Sequence, residues 1–133
     1  MNAAEHVNRR RFDRYLLPSM YTQVAVRLLD EERFHYEGHA YDISKGGLRF
    51  ELDRPIAPGT QIALRISLPG ASSLRVTERK PVFAMGNVVW LHEDDLEQPG
   101  PVRMACVFRN FCQPGDEERL MRRLKSGQFS LAA

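Results

Sequence analysis

Two short clusters of side chains carry the chemistry that this sequence offers. The first is Arg9-Arg10-Arg11-Phe12-Asp13-Arg14. A guanidinium presents a planar fork of N–H donors that fits phosphate oxygens and the O6/N7 edge of guanine, and it stacks on flat rings as an ammonium does not. Sixteen of the nineteen basic residues are arginine, so the bias is general, but only here do three stand together. Arg10 and Arg14 are four positions apart and fall on the same side of either a helix or a strand. The second cluster, about thirty residues on, is Asp42-Ile43-Ser44-Lys45-Gly46-Gly47. On a strand Asp42 and Ser44 share a face, Asp42 offering an acceptor and Ser44 a hydroxyl that donates or fixes a turn. Gly47 is read as the residue that permits the tight turn after them.

Other chemistry finds no support. His35 and His39 have a spacing that would chelate a metal on a helix, but on a strand they stand ~13 Å apart at ~3.3 Å per residue. The two cysteines, Cys106 and Cys112, are separated by five residues, which is neither a paired zinc spacing nor a disulfide framework, and both are read as reduced thiols. There is no Gly-rich phosphate loop and no nucleophile elbow. Neither catalytic residues nor a metal site is expected, and the chain reads as a non-enzyme.

The elements that must position the two clusters are mostly strands. From Tyr21, the residues Val24, Val26 and Leu28 alternate with polar neighbours. The run from Phe34 to Ile43 alternates again and ends at Gly46-Gly47. Leu48, Phe50 and Leu52 give a third strand, Ile62 to Leu68 a fourth, Pro81 to Leu91 a longer one in which Gly86 marks a bulge or corner, and Val102 to Phe108 the last. A short strand at Leu74 to Thr77 is an ambiguous addition. Trp90 is expected in the core beside Val88 and Val89. After Pro114-Gly115, the order Asp116, Glu117, Glu118, then Leu120, Met121, Leu124, then Arg122, Arg123 and Lys125 predicts a helix with Asp116 as N-cap and Gly127 as its stop. Its apolar positions are too few for a free-standing helix, so it must pack across the strands or against a partner.

Regularly spaced short strands argue for a mainly β fold, a six- or seven-stranded antiparallel barrel with a C-terminal helix. With 133 residues and 43% hydrophobic content one domain is expected: a basic arm over 1–20, the barrel over 21–113, and the helix and tail over 114–133. No run approaches the ~20 apolar residues of a membrane-spanning helix, and no apolar leader opens the chain, so a cytoplasmic location without membrane insertion is expected.

An arginine arm followed at this distance by D-x-S-x-x-G in a small β-rich chain resembles the PilZ domain family, over most of the chain. The resemblance implies a split-barrel fold, no cofactor, and cyclic di-GMP as ligand. Arg10 and Arg14 match the family's paired arginines, and Asp42, Ser44 and Gly47 its second motif. Arg9, directly before the pair, matches a position where arginine accompanies binding of a stacked, intercalated dimer of the ligand. Arg49 is a weaker candidate contact. The chemistry agrees: a cyclic dinucleotide needs cations for two phosphates, donors for guanine O6 and N7, and an acceptor for the guanine N1 and N2 hydrogens. One departure is that many relatives carry a glycine in the last strand, where this chain has Met104-Ala105-Cys106-Val107-Phe108.

The implied function is a receptor or adaptor in which ligand binding folds Arg9, Arg10 and Arg14 against Asp42 and Ser44, and an effector protein in trans reads the change. A homodimer is compatible with this. The alternatives are a nucleotide-independent protein-interaction module, or a small barrel binding single-stranded nucleic acid. The modest net charge of +2 does not favour nucleic acid.

Overall fold

The computed structural model describes residues 12–70 and 80–132. Arg9, Arg10, Arg11 and the expected strand Leu74 to Thr77 lie outside the described residues. Among the described residues seven strands run in the order β1 (Tyr15–Leu16), β2 (Gln23–Leu28), β3 (Tyr36–Ile43), β4 (Gly47–Leu52), β5 (Gln61–Ser67), β6 (Val82–Leu91) and β7 (Val102–Phe111), followed by helix α1 (Asp116–Leu124). Short 3₁₀ turns occupy Ser19–Tyr21 and Glu93–Glu97.

Neighbouring strands pair antiparallel in the order β3-β2-β5-β6-β7-β4, and β4 pairs back onto β3, which closes a six-stranded barrel. Closure leaves no long strand edge among the described residues. The small extra strand β1 lies on β3 opposite Asp42 and Ile43. The alternating residues read from the sequence do fill the interior: Val24 and Val26, Leu48, Phe50 and Leu52, Ile62, Leu64 and Ile66, and Met104 are each no more than 2% exposed.

Strand β1 has no period to read, being two residues long. Yet Tyr15 and Leu17 belong to the core cluster, although both fall in the stretch expected as arm. The chain is therefore fixed to the barrel just after Arg14.

The helix packs across the barrel, with Leu120 and Leu124 buried in the core. Its capping differs from the expectation. Gly115 is the N-cap, and Asp116 makes no capping bond. Instead Asp116 Oδ2 accepts the Phe83 N–H at 3.1 Å, and Oδ1 pairs with Arg119. Arg119 also donates to the Lys80 and Pro81 carbonyls, and Arg123 to the Pro69 carbonyl. A buried carboxylate is more costly to leave unpaired than a helix N-terminus is to leave without a side-chain cap, so Asp116 serves the strand and not its own helix.

Candidate functional site

Strand β3 would aim Asp42 into the barrel if its alternation ran unbroken, because Ala40, two residues earlier, is fully buried there. A bulge at Tyr41 prevents this. The pairing with β4 steps from Ala40↔Phe50 to Asp42↔Arg49, so the inward phase passes to Ile43 and Asp42 turns outward. Asp42 then faces Arg49, the outward residue between buried Leu48 and Phe50, with Arg49 Nη1 3.7 Å from Asp42 Oδ2. The Asp42 side chain is 9% exposed and that of Arg49 42%. At 3.7 Å this is a loose pairing of a half-exposed guanidinium with a nearly buried carboxylate.

Ser44 follows on the same face. Its Oγ accepts the Gly46 N–H at 3.0 Å, and its own N–H donates to the Gly47 carbonyl at 2.9 Å. Of the two roles open to this hydroxyl, the turn-fixing one is in place. Gly47 has a different role from the one read in the sequence. Its φ is not positive; what it supplies is space, since a Cβ there would stand 2.4 Å from the Cys106 carbonyl oxygen on β7.

A second bulge, between Val88 and Trp90 on β6, pushes both Val89 and Trp90 out of the barrel. Trp90 is 36% exposed, so the expected core position is overturned, and the bulge is the reason. Across the outer surface the register places Asp42, Arg49, Ala105 and Trp90 in one row over β3, β4, β7 and β6.

Apart from Trp90, these residues meet in one cavity of about 230 Å³. Arg14, Asp42, Ser44, Gly47 and Arg49 all line it, and Val89, Ala105 and Val107 give it an apolar wall. Every sequence candidate among the described residues is thus brought together. Val89 and Val107 were missed; the only signal was an apolar residue out of phase in each strand. The arrangement offers two guanidiniums, one carboxylate and a flat apolar face, which suits an anionic ligand with a planar base.

A larger groove of about 440 Å³ crosses β2, β3 and β5, lined by Gln23, Glu37, His39, Asp53, Arg65 and Ser67. Its chemistry is less suited to a ligand. Asp53 Oδ1 already accepts the Glu37 N–H, and Arg65 lies over the Phe34 ring at 5.4 Å. His35 is engaged with Glu31 at 2.6 Å, and among the described residues no group of three or more His, Cys, Asp or Glu could hold a metal. Among them too, no helix is long and apolar enough to cross a membrane.

The fold is a closed antiparallel barrel with a terminal helix, and it carries an outward, arginine-lined cavity at the β3–β4 turn. The chain belongs to the PilZ family: the family's model, the PilZ domain, matches residues 8–126. No curated protein matches the chain. Solved structures agree on the fold. The PilZ domain of YcgR from Escherichia coli, solved with c-di-GMP, is 19% identical with a TM-score of 0.63, over 89% of this chain and 90% of that one. Bacillus subtilis inhibitor of motility, MotI/DgrA, is 20% identical with a TM-score of 0.61, over 90% of this chain. MrkH of K. pneumonia, solved as a c-di-GMP complex, is 17% identical with a TM-score of 0.63, over 89% of this chain. This chain spans about half the length of MotI/DgrA and of MrkH, 51% of each.

Proposed function

We propose that this protein is a cyclic di-GMP receptor, without catalytic activity of its own, that passes ligand occupancy to an effector protein in trans in the cytoplasm. The observation that carries the reading is the convergence of Arg14, Asp42, Ser44 and Arg49, from the arm, two strands and the turn between them, on one cavity beside an apolar wall. Family membership and the c-di-GMP complexes of YcgR and MrkH support it. Asp42 accepts the N1 and N2 hydrogens of guanine while Arg10 and Arg14 serve phosphates and the O6/N7 edge. Gly47 keeps β4 close to β7 beneath the ligand, and Arg49, released from Asp42, turns to a phosphate. Arg9 adds a cation for a second, intercalated ligand, whose arrival brings the phosphate charges to four. A homodimer is compatible with this arrangement.

Calorimetric titration of the protein with cyclic di-GMP tests the proposal. Binding with a stoichiometry near two per chain is expected. Asp42→Ala should weaken it roughly 10- to 100-fold, the worth of about 1.5–3 kcal/mol for hydrogen bonds to a charged group. Cyclic di-AMP, whose adenines lack the N1 and N2 donors, should bind far more weakly. Absence of heat with cyclic di-GMP at tens of micromolar overturns the assignment.

A further inference from the structure

Phe12 stands at the centre of the R-x-x-x-R pattern, two residues after Arg10 and two before Arg14. Its ring lies on Gly46, in the turn of the second motif. A Cβ built on Gly46 would come within 2.9 Å of Phe12 Cδ2 and 3.2 Å of Cε2. Gly46 does not adopt a positive φ, so the turn itself does not demand glycine. What the absent side chain provides is a seat for the ring. The seat is stiff, because Ser44 Oγ holds the Gly46 N–H and the Gly46 carbonyl accepts the Phe108 N–H at 2.9 Å. From the side, Lys45 Nζ lies 5.8 Å from the ring centroid and 3.3 Å from Glu117 Oε1 in the first turn of α1.

We infer that Phe12 is a positioning residue of the binding site: seated on Gly46, it fixes the chain two residues before Arg14, whose guanidinium is thereby held at the cavity of Asp42 and Ser44. Two residues of chain reach at most about 7 Å. Whatever holds Phe12 therefore limits where Arg14 can go. Fixing the backbone before the ligand arrives removes part of the ordering cost of binding. The role rests on the cyclic di-GMP reading above, which supplies the ligand.

A double-mutant cycle tests it, with cyclic di-GMP as the titrant. Phe12→Ala and Gly46→Ala should each weaken binding roughly tenfold. The double variant should be no weaker than the worse single one, because the two changes break one contact. Phe12→Tyr should restore affinity to within about twofold, as a ring of the same shape takes the same seat. The thermal midpoints should move little, Phe12 being 38% exposed. Additive losses, or full affinity in Gly46→Ala, overturn the inference. In the ligand-free protein, the ring-current shift of the Gly46 amide proton should vanish in Phe12→Ala; an unchanged shift also overturns it. Failure of the wild-type chain to bind refutes the ligand reading and this role with it, whereas wild-type binding without the cycle's coupling refutes the seat alone.

Discussion

Replacing Gly47 separates two accounts of why glycine stands there. If the residue were needed for a turn in the left-handed region, Asn would be tolerated better than Ala, because Asn adopts positive φ more readily. The structure gives the opposite ranking. The Gly47 φ is not positive, and a Cβ would stand 2.4 Å from the Cys106 carbonyl oxygen. A comfortable C···O approach is about 3.3 Å, so β4 would have to withdraw from β7 by about 0.9 Å at this pair. It has nowhere to go, since β4 is paired with β3 on its other side. Overpacking of this kind costs about 1–3 kcal/mol. With a urea m-value of about 1–3 kcal/mol/M, Gly47→Ala should lower the denaturation midpoint by about 1 M at unchanged m. Gly47→Asn, with a bulkier side chain, should be at least as destabilising. Gly127 is the control, having a φ of +91° and nothing near its Cβ direction; there Asn should be milder than Ala. Urea unfolding of all four variants is the assay. A Gly47→Ala protein within 0.5 kcal/mol of wild type, or a Gly47→Asn protein more stable than Gly47→Ala, would refute the reasoning.

Asp116→Ala should cost about 3–5 kcal/mol in the same assay, because it takes the carboxylate away from the buried Arg119 guanidinium and the side-chain acceptor away from the Phe83 N–H; a loss below about 1 kcal/mol would remove the helix clamp from the account. Native protein at pH 8 should take up one equivalent of iodoacetamide, at exposed Cys112, since burial pushes the Cys106 thiol to about 12; labelling of both without denaturant contradicts this. Because the Cys106 value is raised in the folded state, its contribution to stability is complete below 9.0 and is lost as pH climbs toward 12. Hydrogen bonds from the Arg103 side chain and backbone hold the Asp95 carboxyl at about 2, so its contribution is present above 3.8 and lost as pH falls to about 2. Carboxyl NMR should find that midpoint, and Arg103→Gln should bring it up toward 3.8.

Where one period governed a strand, the fold was readable. Ile62, Leu64 and Ile66 alternate without interruption and are all fully buried. The irregularity at Met85/Gly86 was announced by its glycine, but reading failed where a bulge carried no such mark. Neither Tyr41 nor Val89 is a glycine or proline, and neither advertises a bulge by type. Asp42 nevertheless gave a usable hint, because a carboxylate in phase with Ala40, followed by an apolar Ile43 out of phase, is better satisfied by a shift than by burial of a charge. Trp90 gave none, as Val88-Val89-Trp90 is apolar throughout. The cavity's polar members Arg14, Asp42 and Ser44 were legible in the sequence because their types cluster in two short motifs. Its apolar wall was not, because Val89 and Val107 differ from core valines only in which way the strand turns them. Phe12 was hidden for a related reason: a ring beside arginines looks incidental until Gly46 is seen beneath it.

The placement of the arm revises the expected mechanism. Folding of Arg9, Arg10 and Arg14 onto the barrel was expected as one event with binding. Arg14, however, is followed immediately by Tyr15 and precedes Leu17 by three residues, and both are core residues only 7% exposed. Leu17 N–H donates to the Tyr41 carbonyl at the bulge that re-aims Asp42, so the strand that carries the carboxylate also anchors the chain that carries the arginine. Arg14 is therefore placed by folding and needs no ligand to reach the cavity. Ordering a residue's backbone costs about 1–2 kcal/mol, so each residue fixed in advance improves affinity by nearly an order of magnitude relative to a free arm. Tyr15→Ala should then weaken cyclic di-GMP binding through a residue that does not line the cavity, even where the barrel stays folded. Equal affinity in that variant would mean that the arm's anchorage contributes nothing to binding.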